Sequence, residues 1–218
     1  MHKNVINLIE IKKEINSKNF DQESNVKIIA VSKTFSMESI LPLIEYGHTD
    51  FGENKVQEAI EKWSEIKEKN ANLNLHMIGK LQSNKVKQAV QIFDYIHSLD
   101  SIKLAKKISD EQKKLKKNLK FFIQINIGDE LQKSGIKIEE LSTFYNSCIN
   151  DYKLDIIGLM CLPPANINPT SFFEKMLKLS KTFFLKELSM GMSSDYLKAL
   201  EFDATYVRIG SKIFGRRN

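Results

Sequence analysis

The sequence predicts a (β/α)8 barrel, an α/β fold of eight parallel strands with an extra helix at its N-terminus. Three observations carry this prediction. Short apolar runs of strand character alternate with helix-period stretches, eight such runs occur, and polar or glycine-containing clusters follow most of them. With 218 residues and no Ser/Gly/Pro-rich tract, the chain fits one domain spanning 1–218, with a single large core and short loops. An open doubly wound sheet is the competing architecture. It would want a G-x-G-x-x-G turn after the first strand, where this chain reads Ser32-Lys33-Thr34.

The opening helix is expected over 3–18, where Val5, Leu8, Ile9, the stem of Lys12, and Ile15 form a stripe of helical period. Strands are expected at 26–31, 49–51, 74–78, 94–97, 120–126, 155–159, 186–189 and 205–209. Helices between them are expected at about 36–46, 54–69, 83–93, 101–116, 137–150, 169–184 and 194–201. The Phe172-Phe173 and Phe183-Phe184 pairs fit the buried side of the helix expected at 169–184 and its end, and Trp63 fits helix packing against Ala59 and Ile66.

Composition narrows the function classes. The net charge of +6 raises the question of nucleic acid, yet lysines alternate with glutamates along 58–69 and 103–117, as on solvated helix faces. No RNA-reading motif or aromatic-interleaved basic stripe accompanies the charge, so no specific nucleic acid is expected. No apolar run approaches a bilayer span and the first residues mix Lys and Glu with apolar side chains, so a cytoplasmic chain without a membrane is expected. Cys148 and Cys161 lack metal-ligand spacing and a local His cluster; both read as buried thiols, and no metal is expected. His2, His48, His76 and His97 are scattered, and His76, inside a strand, reads as a hydrogen-bonded core histidine. Of 33 basic residues only Arg208, Arg216 and Arg217 are arginine, a residue kept where a planar guanidinium matters.

The candidate site follows from the barrel rule that chemistry gathers at the C-terminal ends of the strands and that phosphates bind after strands 7 and 8. Ser32-Lys33 follows the first strand, Gly52-Glu53-Asn54 the second, Gly79 to Asn84 the third, Asn126 the fifth and Met160 to Pro164 the sixth. Gly191-Met192-Ser193-Ser194 follows the seventh and Gly210-Ser211 the eighth. Lys33 leaves the apolar run 28–31 in partly buried surroundings, which favour the neutral amine that attacks an aldehyde. Ser193, Ser194, Gly210 and Ser211 offer hydroxyls and backbone N–H groups to an anion from both sides. A surface lysine at a strand end and ordinary Ser-capped helix starts are the plainer readings of the same residues.

Several segments in order resemble a known family, the pyridoxal phosphate homeostasis proteins, whose fold is similar to the N-terminal barrel domain of bacterial alanine racemase. They are Ala30-Val31-Ser32-Lys33-Thr34, Phe51-Gly52-Glu53-Asn54 with Val56-Gln57-Glu58, His76-Met77-Ile78-Gly79 with Leu81-Gln82-Ser83-Asn84-Lys85, Gln124-Ile125-Asn126-Ile127 with Lys133-Ser134-Gly135, and Gly158-Leu159-Met160. The last two are Leu188 to Ser193 and Val207 to Ser211 with Ile213-Phe214-Gly215, so the likeness runs from about residue 26 to 217. It implies pyridoxal 5'-phosphate as cofactor, held as a Schiff base on Lys33, with Ser193, Gly210 and Ser211 on its phosphate, Arg208 facing the pyridine nitrogen and Asn54 nearby. Phe35, Lys55, Leu75 and Asp203-Ala204 depart from the family's common Lys, Tyr, Trp and Gly-Ser.

A guanidinium beside the pyridine nitrogen disfavours protonating it and makes the ring a poorer electron sink. The sequence stops at Asn218 directly after the barrel, so the tyrosine that alanine racemase takes from a second domain is not expected. The expected function is therefore a non-catalytic pyridoxal phosphate carrier or buffer in vitamin B6 homeostasis. Its expected partners are the cofactor and the apoenzymes that depend on it, and its expected state is a monomer. The alternatives are a single-domain amino-acid racemase, with Tyr46, Tyr95 or Tyr206 as second acid/base, a nucleic-acid-binding barrel, and a barrel enzyme acting on a phosphorylated sugar.

Overall fold

The computed structural model describes residues 1–18, 26–130 and 132–215. Its eight strands are β1 (Lys27–Val31), β2 (Asp50–Glu53), β3 (Asn74–Met77), β4 (Tyr95–Leu99), β5 (Lys120–Ile125), β6 (Asp155–Cys161), β7 (Glu187–Met192) and β8 (Tyr206–Ile209). All pair in parallel in sequence order, and β8 pairs back onto β1 to close the barrel. Helices α1 (Lys3–Asn16), α2 (Met37–Glu45), α3 (Val56–Lys69), α4 (Val86–Ile92), α5 (Ile102–Leu115), α6 (Leu141–Asn146), α7 (Thr170–Thr182), α8 (Tyr196–Leu200) and α9 (Ser211–Phe214) surround it. The expected (β/α)8 class and the extra N-terminal helix are thus observed. Among the described residues no helix is long and apolar enough to cross a membrane.

Local chemistry moves several boundaries. The stretch expected as one helix at 137–150 is a 3-10 turn at Ile138–Glu140, then α6, then a wider π turn at Ser147–Asp151. That turn sets Cys148 fully inside and presents the Tyr152 carbonyl to Ser109 Oγ at 2.7 Å. Strand β7 runs on through Gly191 and Met192, both expected in the following loop, and β6 likewise takes in Met160 and Cys161. Phe184 is not on a buried side: it is 91% exposed in a left-handed turn, while Phe173 is fully buried. Asp203, where the family favours glycine, also has a left-handed φ of 60°, a conformation that Asp tolerates through its short polar side chain. Arg216 and Arg217 lie outside the described residues.

The core has two parts. The larger lies between the outer face of the barrel and the helices, and includes the largest fully buried side chain, Trp63. The smaller fills the lumen with inward residues of alternate strand positions: Ile29, Tyr95, Phe122, Met160 and Tyr206. Rings stack through it, His76 on Tyr95 at 4.3 Å and His97 on Phe122 at 4.2 Å. At its lower mouth Lys27 Nζ donates to Tyr206 Oη at 3.0 Å and lies over the ring of Tyr95. Helix α1 packs across the seam between chain start and end: Asn4 Nδ2 donates to the Ser39 carbonyl and Asn7 Nδ2 to the Ile213 carbonyl, both at 2.8 Å.

Beneath the upper rim, Glu53 at the end of β2 is fully buried. Its Oε1 accepts from Ser32 Oγ at 2.8 Å and Trp63 Nε1 at 3.1 Å, and Lys62 Nζ sits 2.7 Å away. Burial raises the Glu53 pKa despite these partners. Lys62 also donates to the carbonyls of Ser32 (2.8 Å) and Phe35 (3.3 Å), so α3 clamps the turn that follows β1. Trp63→Phe keeps a six-membered ring but removes the pyrrole half of a fully buried indole, and with it one donor to a buried acid. We expect a loss of about 2 kcal/mol, seen as a lower urea midpoint with an unchanged slope.

Burial also governs the histidines. Desolvation pushes His48 down to about 4, and it lowers His76 and His97 as well. A histidine whose folded pKa is depressed contributes stability that is complete above its unfolded pKa near 6.5 and is lost as pH falls towards its folded value. His48 alone accounts for a loss on the order of 3 kcal/mol between those limits. His48→Gln is therefore expected to show a shallower fall in unfolding free energy between pH 6.5 and 4 than the parent protein. An equal slope in chemical denaturation would refute this.

Candidate functional site

The C-terminal ends of the strands open into a cleft of about 550 Å3 lined by Val31, Lys33, Asn54, Ile78, Leu162, Met192, Ser193, Ser194, Arg208, Gly210, Ser211 and Lys212. All six expected site residues, Lys33, Asn54, Ser193, Arg208, Gly210 and Ser211, lie in this lining. Lys33 and Ser211 are 178 positions apart in sequence, yet they share the cleft because β1 is hydrogen-bonded to β8, with Ile29 opposite Arg208 and Ala30 opposite Ile209. Three lining residues are basic and none is acidic, so the cleft favours an anion.

Lys33 sits half-buried in the turn after β1. Thr34 beside it has a left-handed φ of 68°, unusual for a β-branched residue, and its N–H donates to Glu58 Oε1 on α3. The next residue, Phe35, stacks on Phe214 of α9 at 4.8 Å. Glu58 and Lys62 of α3 and Phe214 of α9 therefore hold the turn that carries Lys33 at the cleft.

Two close approaches build other parts of the lining. Gly191 has a φ of 89°, and a Cβ there would stand 2.7 Å from Ala199 Cβ; glycine lets the end of β7 pass tightly over α8 and deliver Ser193 to the rim. At Gly79 a Cβ would lie 2.4 Å from the Asn54 carbonyl oxygen, so the loop after β3 can back the loop that carries Asn54. Asp195 Oδ1 accepts the Met192 N–H at 2.6 Å, which makes the segment before α8 a turn and starts that helix at Tyr196 instead of 194. The N–H groups of Gly210 (3.2 Å) and Lys212 (3.4 Å) converge on Ser193 Oγ, a pair of donors aimed at one acceptor position.

Arg208 is 4% exposed. Its guanidinium donates to Ser189 Oγ at 2.6 Å and to the Cys161 carbonyl at 2.8 Å. Burial lowers its pKa, although a guanidinium stays charged at any ordinary pH. Burial likewise pushes the thiols of Cys148 and Cys161 up to about 12, so both are unreactive buried thiols. A second cleft of about 310 Å3, lined in part by Lys80, Gln124, Asn126 and Lys133, adjoins the first through Asn54, Ile78 and Leu162.

Several members of this arrangement were not singled out from the sequence. Lys212 follows Ser211 directly and could have been read from the same rim segment. Leu162 and Met192 fall within the rim clusters expected after the sixth and seventh strands, but as apolar residues at strand ends they, like Ile78, carry nothing local that separates a cleft wall from core. Glu53 gave no sign of being fully buried, and Trp63, read as packing alone, also donates to it. Ser189 and the two lumen histidines share only the inward period-two position with Arg208, a weak signal.

The family model described as alanine racemase, N-terminal domain, matches residues 6–218. The chain is 39% identical over 224 residues to the pyridoxal phosphate homeostasis protein of Haemophilus influenzae, covering 98% of this chain and 94% of that one. It is 35% identical over 202 residues to the protein of the same description from Escherichia coli K12, covering 88% and 86%. Among solved structures, PipY of Synechococcus elongatus superposes with a TM-score of 0.87 without PLP and 0.84 with PLP bound, at 31% identity and with complete coverage of that chain. Alanine racemase of Clostridium difficile shares the fold at a TM-score of 0.76 and 15% identity, with 57% of its chain covered. With a barrel of this topology, a family model matched over nearly the whole chain and relatives alike across most of their lengths, the chain belongs to the alanine racemase N-terminal domain family and, within it, to the pyridoxal phosphate homeostasis proteins.

Proposed function

We propose that this chain binds pyridoxal 5'-phosphate in the rim cleft, with Lys33 as the covalent anchor, and serves in the cytoplasm as a carrier or buffer of the cofactor. The observation that carries the reading is the shared lining of one acid-free cleft by Lys33, Arg208 and the N–H groups that meet at Ser193. The reading is further supported by PipY, a relative in the same family whose structure holds PLP. When bound, the cofactor supplies an aldehyde that condenses reversibly with the lysine amine, forming a C=N bond as the carbonyl oxygen leaves as water.

The chain's own residues have distinct tasks in this reading. Ser193, Gly210 and Ser211 hold the phosphate, with the Lys212 N–H as a further donor and the positive cleft drawing in the dianion. Val31, Ile78, Leu162 and Met192 give the ring apolar walls, and Asn54 offers a polar side chain beside it. Arg208 presents a permanent cation, which keeps a neighbouring ring nitrogen unprotonated and restrains carbanion chemistry. Among the described residues no tyrosine lines the cleft: Tyr46 is 45% exposed at the end of α2, and Tyr95 and Tyr206 are in the lumen. That favours a holder over a racemase. The whole chain would act as one unit, as a monomer, delivering the cofactor to apoenzymes that need it.

Four measurements test this. Borohydride reduction of the loaded protein followed by peptide mapping is expected to place the label on Lys33, and Lys33→Ala is expected to abolish the visible absorbance band while far-UV circular dichroism is unchanged. A label elsewhere ends the assignment. Pyridoxal without the phosphate is expected to bind on the order of 100-fold more weakly, since it forfeits the charge-assisted bonds at the rim; equal affinity would remove the phosphate role. In deuterium oxide with L- or D-amino acids, exchange at the α-carbon is expected to stay far below enzymatic rates, and rapid exchange would favour the racemase.

A further inference from the structure

Five side chains form an unbroken polar path through the barrel lumen, from its lower mouth to the cleft. Asp50 Oδ1 lies 3.0 Å from His76 Nε2, His76 Nδ1 is 3.0 Å from His97 Nε2, and His97 Nδ1 is 2.9 Å from Ser189 Oγ. Arg208 completes it by donating to the same hydroxyl at 2.6 Å. They come from β2, β3, β4, β7 and β8, and all five are buried, Asp50 the least so.

The chemistry of the two ends leaves one way to place the protons. Arg208 can only donate, so Ser189 Oγ accepts from it and has its own proton to give to His97 Nδ1. Asp50 also accepts from Thr49 Oγ1 at 2.8 Å and Asn74 Nδ2 at 3.3 Å, the partners of an ionised carboxylate, so His76 carries its proton on Nε2. His76 Nδ1 is then an acceptor for the Nε2–H of His97, whose Nδ1 is free to take the serine proton. Every donor in the path meets an acceptor when both rings are neutral, and burial favours the neutral rings. The path therefore joins a buried cation to a buried anion through aligned bonds, and among the described residues no carboxylate stands within ion-pair distance of Arg208.

We propose that Asp50, His76, His97 and Ser189 are positioning residues for Arg208, a one-directional hydrogen-bond chain that fixes its guanidinium in the cleft and adds a distant negative charge at the opposite mouth of the barrel. This rests on reading the cleft as the pyridoxal phosphate site. The chain stops the guanidinium from turning or withdrawing, and the distant carboxylate moderates the positive potential that a bound ring feels. Other charged or titratable groups face it: Lys27, Asp94 and Tyr95 around His76, His48 and Lys12 near Asp50, Tyr206 within the lumen, and Cys161 and Asp195 beside Arg208. All of these remain in the variants below.

The first test needs no cofactor. Nitrogen-15 NMR of histidine-labelled protein at pH 7 is expected to show His76 and His97 as neutral rings protonated on Nε2. Ser189→Ala should shift the signals of His97 and, through it, His76, and Ser189→Thr, which keeps the hydroxyl, should restore them. A ring protonated on Nδ1 or on both nitrogens in the parent, or signals unmoved by Ser189→Ala, would overturn the chain. The second test loads the cofactor and follows the pH midpoint of its visible band. Asp50→Asn removes the distant negative charge and is expected to lower that midpoint by about half a unit. An unmoved midpoint defeats the electrostatic role, whereas a band that never forms in the unaltered protein defeats the cofactor reading itself.

Discussion

Closure of the barrel between β1 and β8 is the constraint on which the rest depends. Their register sets Ile29 against Arg208 and Ala30 against Ile209, so the turn carrying Lys33 emerges beside the turn carrying Gly210 and Ser211. An open sheet of the same strands would leave these segments at opposite edges, with no shared cleft. The outer packing serves the same junction. Helix α1 is hydrogen-bonded to the Ser39 and Ile213 carbonyls on either side of the seam, and Phe35 stacks on Phe214 across it.

Closure also creates the protein's main electrostatic problem, because it buries ionisable groups that no water can reach. The structure meets this in two different ways. Around Glu53 the solution is compact: three donors, Ser32 after β1 and Lys62 and Trp63 on α3, converge on one carboxylate oxygen. Around Arg208 it is extended, with the opposite charge carried at the far end of a run of neutral groups. The first arrangement stiffens the turn behind Lys33. The second leaves the guanidinium without a carboxylate at ion-pair distance among the described residues, held instead by the Ser189 hydroxyl and the Cys161 carbonyl.

Much of this is legible in the sequence. The β-α alternation, the helix ahead of the first strand, and the rim clusters after the strands all follow from periodicity and from glycine and serine placement. Boundaries slipped where a side chain overruled the local pattern. Asp195 bonds back to the Met192 N–H and delays α8, and the buried Cys148 is carried by a widened turn where a regular helix was expected. Phe184 looked like half of a buried aromatic pair, but a left-handed turn at that residue turns it out to solvent. His76 was rightly read as a bonded core histidine, yet the partners that make it interesting lie 21 and 26 positions away.

The sequence by itself determined the fold class, the order of the strands and the set of residues gathered at the rim, because hydrophobic period and turn chemistry are local and act over a few residues. Only the tertiary structure decided which buried charges answer one another. That pairing depends on which inward positions of non-adjacent strands face each other across the lumen, and no spacing along the chain encodes that distance.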